Sequence, residues 1–190
     1  MQAVAFTGVD RLVSTLDACV TQPTPEAITA AVKDGLCGMI LGGDLDLPAA
    51  MQVPGSQSYA RRLLYRSDPH GYVVVAMAWG PGQGTPLHDH AGIWCVEAVW
   101  KGEMQVVQYD LVEQMGELFR FEPQGTVQSG PGAGGALIPP FEYHTLSNVV
   151  PGATSVTLHV YGHDLERCAV FEQETEGWYR RTFKDLAYTA

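Results

Sequence analysis

Basic side chains are scarce in this chain: 11 lysines and arginines stand against 21 aspartates and glutamates, for a formal net charge of −10 over 190 residues. A surface of that sign repels phosphate backbones and anionic lipid, so neither nucleic acid nor a membrane is expected as partner. No apolar run approaches the ~20 residues of a membrane-spanning helix. The N-terminus lacks the basic region and apolar core of a secretory leader. Four cysteines, Cys19, Cys37, Cys95 and Cys168, show no Cys-x-x-Cys spacing, which argues against a zinc ribbon or a thioredoxin-like pair. Free thiols suit a reducing compartment, so a cytoplasmic setting is expected. Internal repeats, low-complexity segments and nicotinamide- or flavin-binding motifs are also missing.

What remains is an ordinary globular composition, 46% hydrophobic and 17% charged, long enough to bury a real core. One domain spanning 1–190 is expected, with a helical region over 1–55 and a β-barrel over 56–190. The helical period is visible in Leu12, Val13, Leu16 and Cys19, with Asp10 as cap. A second helix has Thr24 as cap, Pro25 and Glu26 in its first turn, and Gly35 as its expected end. A short third helix is expected near Leu47 to Gln52. From Tyr59 onward the period changes to short strands separated by Gly/Pro turns. Their expected spans are 59–65, 72–79, 93–100, 104–110, 117–122, 126–128, 135–138, 145–147, 155–161, 168–172 and 177–182. That succession predicts an all-β barrel or jelly roll with the helices packed on it.

The chemistry concentrates after a Gly/Pro-rich loop, where Gly82 is followed by five residues, then His88-Asp89-His90. In an extended strand residues i and i+2 share a face, so both imidazoles aim at one point while Asp89 turns away. Imidazole is the commonest metal-ligating side chain. A second apolar segment offers a third, in Pro139-Pro-Phe-Glu-Tyr-His144-Thr-Leu-Ser-Asn148. Three neutral histidines leave open positions and an uncompensated 2+ charge on an octahedral metal, which favours an anionic ligand such as a thiolate. The residues alone do not name the metal, since three histidines also hold zinc.

The two-part pattern resembles the cupin superfamily, with its Gly-x5-His-x-His and Pro-x4-His-x3-Asn motifs. Most cupins carry a glutamate ligand four or five residues after the second histidine; here Cys95 holds that place and Glu97 lies two residues later, with the same strand parity. A cysteine there, with three histidines, resembles the cysteine dioxygenase branch. The likeness runs from His88 to Gly102 and again from His144 to Tyr161. It implies an iron(II) centre on His88, His90 and His144, with O2 and a small thiol as the reacting partners and a sulfinate as product. It also implies that Tyr59-x-Arg61 holds a substrate carboxylate, with Arg62 turned away by alternation. Cys95, His159 and Tyr161 form a further set. In Thr157-Leu-His159-Val-Tyr161 the polar residues share one face, and the resemblance implies that His159 bonds Tyr161 and that Tyr161 is joinable to Cys95.

Two departures bear on the substrate. Gly162-His163-Asp164 follows Tyr161 where mammalian-type relatives have Ser-Pro-Pro, and the stretch from Arg61 to His88 is one residue longer. Cysteine is the first expectation, with 3-mercaptopropionate and mercaptosuccinate as alternatives. Two competitors stay open: a cupin with another metal acting as isomerase or hydrolase through Glu97 or Glu142, and a non-catalytic small-molecule binder. His70 and His163 are expected in exposed turns. Trp79, Trp94 and Trp100 are expected in the core, and Cys19, Cys37 and Cys168 as small hydrophobes.

Overall fold

The computed structural model describes residues 2–190. A short strand β1 (Gln2–Ala3) precedes two helices, α1 (Val9–Cys19) and α2 (Pro25–Leu41). Gly8, not Asp10, caps α1, and Asp10 sits in the first turn where its charge suits the helix dipole. Thr24 caps α2 as its sequence suggests: its hydroxyl accepts the Ala27 N–H at 3.3 Å, with Pro25 next in line. The helix does not stop at Gly35, however, but runs through it to Leu41. The reason is packing between the helices, because a Cβ at position 35 would lie 2.8 Å from the Thr15 side chain. The expected third helix is a single 3-10 turn, Ala49–Gln52.

Eleven further strands follow: β2 (Ala60–Arg66), β3 (Val73–Trp79), β4 (Leu87–His88), β5 (Cys95–Lys101), β6 (Met104–Met115), β7 (Leu118–Ser129), β8 (Gly134–Leu137), β9 (His144–Asn148), β10 (Ser155–Tyr161), β11 (Arg167–Thr175) and β12 (Trp178–Asp185). One sheet has the order β1-β2-β3-β10-β5-β8, and the other strands close on themselves in the order β11-β12-β7-β6-β9-β4. All-β architecture with two helices on the outside is what the alternating pattern predicts. Three local expectations fail. The His88–His90 stretch is barely a strand, since β4 ends at His88. The separate strands expected at 117–122 and 126–128 are one continuous β7, whose Pro123 sits at a register shift in the pairing with β6. Such irregularities are where a strand tolerates a residue without an N–H. Strand β1 falls in a stretch expected to be helical.

The first sheet is buried on both faces. Outward residues of β2, β3, β5 and β10 (among them Leu64, Ala76, Val96, Leu158 and Val160) pack against Leu12, Leu16, Val32 and Leu36 of the helices. Inward residues such as Val75, Met77, Cys95 and Tyr161 meet Met104, Leu146 and Val170 from the second sheet. Among the described residues no helix is long and apolar enough to cross a membrane.

Candidate metal centre and active site

Antiparallel pairing does what sequence distance hides: β4 lies between β9 and β11, and His88 is the direct cross-strand partner of His144. His90 follows in the loop after β4, and Asp89 anchors that loop from the far side by accepting the Ala91 N–H at 3.1 Å and the Ala169 N–H at 2.9 Å. The His90 N–H itself donates to Glu142 Oε2 at 2.8 Å. The three rings come together with centroids 4.6 to 5.2 Å apart. One ligating nitrogen from each lies within 4.8 Å of the other two.

Two of the rings have an acceptor at Nδ1. His88 Nδ1 faces the Pro86 carbonyl at 3.0 Å, and His144 Nδ1 faces the Glu142 carbonyl at 2.9 Å. His90 Nδ1 stands 3.3 Å from Glu142 Oε2, close enough for charge but without hydrogen-bond geometry. With the proton on Nδ1, His88 and His144 present their Nε2 lone pairs, the arrangement by which outer partners orient metal-bound histidines. Burial, with the neighbouring His144, pushes His88 down to about 3, and burial carries His90 well below its ordinary value. Neutral imidazoles are the metal-binding form. His144 Nε2 is buried with no hydrogen-bond partner among the described residues. An unpartnered buried nitrogen amid converging lone pairs fits a metal ion, and in the metal-free chain, against the effect of burial, Glu97 raises His144 above its ordinary value.

The motif residue Asn148 is a clamp, not a ligand. Its amide donates to the carbonyls of Trp79, Gly80 and Ala153, and its oxygen accepts from the Val150 N–H and the Ser155 hydroxyl. It ties the end of β9 to the loop that carries the first motif.

Behind the histidines, Thr157, His159 and Tyr161 project from the inner face of β10, all nearly inaccessible to solvent. The Trp79 indole N–H donates to Thr157 Oγ1 at 2.9 Å, and Thr157 Oγ1 meets His159 Nε2 at 2.8 Å. Indole is only a donor, so the threonine proton is free to go to His159 Nε2, which leaves the histidine proton on Nδ1. That nitrogen faces the Tyr161 hydroxyl at 3.5 Å. Burial, above all, takes His159 down to about 4, so it stays neutral. Cys95 is the cross-strand partner of Tyr161, and burial pushes its thiol well above the ordinary range.

Arg61 is 4% exposed, with Nη2 donating to the Leu165 carbonyl at 3.0 Å and Nε without a partner among the described residues. Its guanidinium carbon lies 4.5 Å from the centre of the Tyr188 ring and 5.7 Å from that of Tyr161. Arg62 turns the other way and donates to the Val53 carbonyl. Tyr59 packs its ring on Trp79, with centroids 4.3 Å apart. Tyr59, Arg61, His88, His90, His144, His159 and Tyr161 all line one cavity.

Cys95 is not among the cavity's lining residues, whereas several residues not expected there are. Trp79 and Cys168, expected as plain core, line the cavity as well as being buried. Lys184 and Leu186 reach it from the C-terminal segment, which returns along the start of β2 through the Thr189–Arg61 hydrogen bonds. Nothing local in that segment signals this role. Glu97 also faces in, and its parity with Cys95 is the signal that finds it. Burial acts to raise its carboxyl, but the combined pull of His144 and His159 carries it below its ordinary value. Burial pushes Glu142 up to about 7. The departure at Gly162 also has a local cause: any Cβ there would lie 2.6 Å from the Trp94 indole nitrogen.

A double-layered β-barrel with a histidine trio at the junction of β4 and β9 is the cupin arrangement. Residues 55–174 match the family model described as cysteine dioxygenase type I, and the chain belongs to that family. Cysteine dioxygenase type 1 from Rattus norvegicus and from Mus musculus are each 22% identical to it over 117 residues, 62% of this chain and 57% of the relative. The chain thus matches little more than half the length of these relatives. Among solved structures, a Klebsiella pneumoniae protein with a double-stranded β-helix domain is 18% identical, covering 61% of this chain and 82% of that one at a TM-score of 0.46. The Schizosaccharomyces pombe Cnp3 cupin domain is 12% identical, covering 63% and 75%, at a TM-score of 0.44.

Proposed function

We propose that this chain is an iron-dependent thiol dioxygenase that adds both atoms of O2 to the sulfur of a small carboxylate-bearing thiol and releases a sulfinate. One juxtaposition carries the reading: three imidazoles with free lone pairs and a buried guanidinium with an unpaired N–H line the same cavity. Iron(II), held by His88, His90 and His144, would supply a Lewis-acidic, redox-active centre at which thiolate and O2 react. Arg61 receives the substrate carboxylate. Its Leu165 bond and the Tyr188 ring fix the guanidinium plane, so little side-chain entropy is lost when the carboxylate docks. Tyr59 adds a phenol donor on the same wall.

The chain from Trp79 through Thr157 to His159 sets a proton on His159 Nδ1, facing the Tyr161 oxygen. The Tyr161 hydroxyl proton is then free to donate into the cavity. Electrons balance without a further reductant, because sulfur loses four in passing from thiol to sulfinate and O2 accepts four. Cysteine is the first candidate substrate. A dicarboxylic thiol such as mercaptosuccinate has a specific observation in its favour: Lys184 is a second cation on the cavity wall, its ammonium 5.8 Å from the centre of the Tyr59 ring.

The test is an oxygen-electrode assay of iron-loaded protein on cysteine, 3-mercaptopropionate, mercaptosuccinate and cysteamine, with products weighed after reaction in 18O2. One O2 per thiol and two labelled oxygens in the sulfinate are expected. Arg61→Ala raises KM for the carboxylate thiols roughly ten- to a hundredfold, the loss of a charged hydrogen bond worth about 1.5–3 kcal/mol, and Arg62→Ala does not. An obligatory requirement for ascorbate or a 2-oxo acid overturns the reading.

A further inference from the structure

The histidine trio does not exhaust the ligating groups at this centre. Glu97 projects from the inner face of β5 as the cross-strand partner of His159, and it is only 7% exposed. Its Oε2 lies 3.6 Å from His144 Nε2 and 3.7 Å from His159 Nδ1. Neither contact is a formed hydrogen bond. Oε2 of Glu97 and Nε2 of His144 are both buried and unpartnered among the described residues. The other nitrogen of His144 is held by the Glu142 carbonyl, and His159 is engaged by Thr157 on one side and faces Tyr161 on the other. No lysine or arginine among the described residues makes an ion pair with Glu97; the ionisable groups it faces are these two histidines.

A buried carboxylate must be paired or coordinate a cation. Here it faces Nε2 of a histidine whose other nitrogen is held by the Glu142 carbonyl. A proton on His144 Nε2 can serve both atoms in the metal-free chain, and a cation that takes Nε2 must replace it for Glu97 as well. A metal held by the trio is such a cation, because His144 Nε2 is one of its proposed ligands. Carboxylate oxygen and imidazole nitrogen are compatible donors for the same first-row divalent ion.

We propose that Glu97 is a fourth protein ligand of the metal held by His88, His90 and His144. This rests on the metal reading of the trio. Its consequence is a change of charge: three imidazoles leave a divalent ion at 2+, whereas a carboxylate brings the protein-bound ion to 1+. Cys95 occupies the position at which most cupins carry a glutamate ligand, and Glu97, two residues further on the same strand face, restores a carboxylate to the centre.

The experiment uses the full metal-free chain titrated with Co(II) against a chelating dye, with the Co(II) electronic absorption recorded at each addition. The parent is expected to bind one ion. Glu97→Gln keeps the shape and removes the charge, and it weakens binding by about ten- to a hundredfold or more, the range lost even when an outer partner of a ligand is removed. Its Co(II) ligand-field bands shift in position and intensity. Glu97→Asp keeps the carboxylate on a shorter stem, serves if the glutamine variant does not fold, and gives an affinity between parent and Gln. Glu113→Gln, an exposed acid on β6, matches the parent. Parent-like affinity in Glu97→Gln overturns the proposal. So does weaker binding with an unchanged Co(II) spectrum, which makes Glu97 an electrostatic neighbour and not a ligand. A parent that binds no metal overturns the trio itself, and this proposal with it.

Discussion

Strands β5 and β10 carry two surfaces that differ in everything but burial. On the side toward the helices stand Val96, Ala98, Val156, Leu158 and Val160, packed on Leu12, Leu16, Val32 and Leu36. On the side toward the barrel interior, the same two strands present Glu97, Thr157, His159 and Tyr161 beside Cys95. The first surface has no polar atom to satisfy, and its contribution is area removed from water, roughly 25 cal/mol per Å2. The second leaves Glu97 Oε2 and the adjoining His144 Nε2 buried without partners among the described residues. An unpartnered buried polar group costs about 1–3 kcal/mol. The helix-facing surface therefore holds the helices on the sheet at no polar cost, and the interior surface gives up part of the barrel's stability at the candidate site.

That division is open to attack from both sides, and His144→Ala should have the largest effect. It removes a proposed ligand, so metal binding is expected to fall beyond the roughly 10–100-fold lost with an outer-shell partner. The metal-free protein should also lose some stability, because the buried Glu97 carboxylate loses its nearest counter-group. Metal content by plasma emission and urea unfolding of the metal-free protein check the two halves. A variant that retains its metal and loses its stability would reverse the assignment of the faces.

Leu158→Ala is the mirror experiment. It empties a fully buried position between sheet and helices, at a cost of about 2–5 kcal/mol. The protein that remains folded should still bind one metal ion with parental affinity, although Leu158 lies between Thr157 and His159 in sequence. Urea midpoints together with dye competition decide it. A smaller effect sharpens the comparison at the outer layer: Thr24→Ala deletes the α2 cap and should lower stability by ~1 kcal/mol. Metal affinity and turnover should stay as they were, since the helices support the sheet without touching the cavity.

Much of the site is legible in the sequence because it is written in strand alternation. Thr157, His159 and Tyr161 at every second position of an uninterrupted strand must share a face, and Leu158 and Val160 must share the other. The same rule separates Arg61 from Arg62. It works less well at His88 and His90: the strand there ends at His88, and the imidazoles converge because the Asp89 and Glu142 bonds shape the loop. Gly35 misleads for a similar reason. Its local preference is to end a helix, and contact with Thr15 overrides it.

The chain by itself determined an acidic, barrel-forming pattern, two helices with the cap of the second at Thr24, and a spaced set of histidines whose shared chemistry is metal binding. Those are properties of local conformation and residue type, and neighbours in sequence decide them. Only the tertiary structure decided that His144 stands opposite His88, and that Glu97 meets His144 with neither atom satisfied. It also decided that Lys184 and Leu186 from the C-terminal segment help line the cavity. Each of these depends on which strands become neighbours and in what register. Pairing across a barrel is settled by the burial of the whole sheet, not by any one strand's own preference.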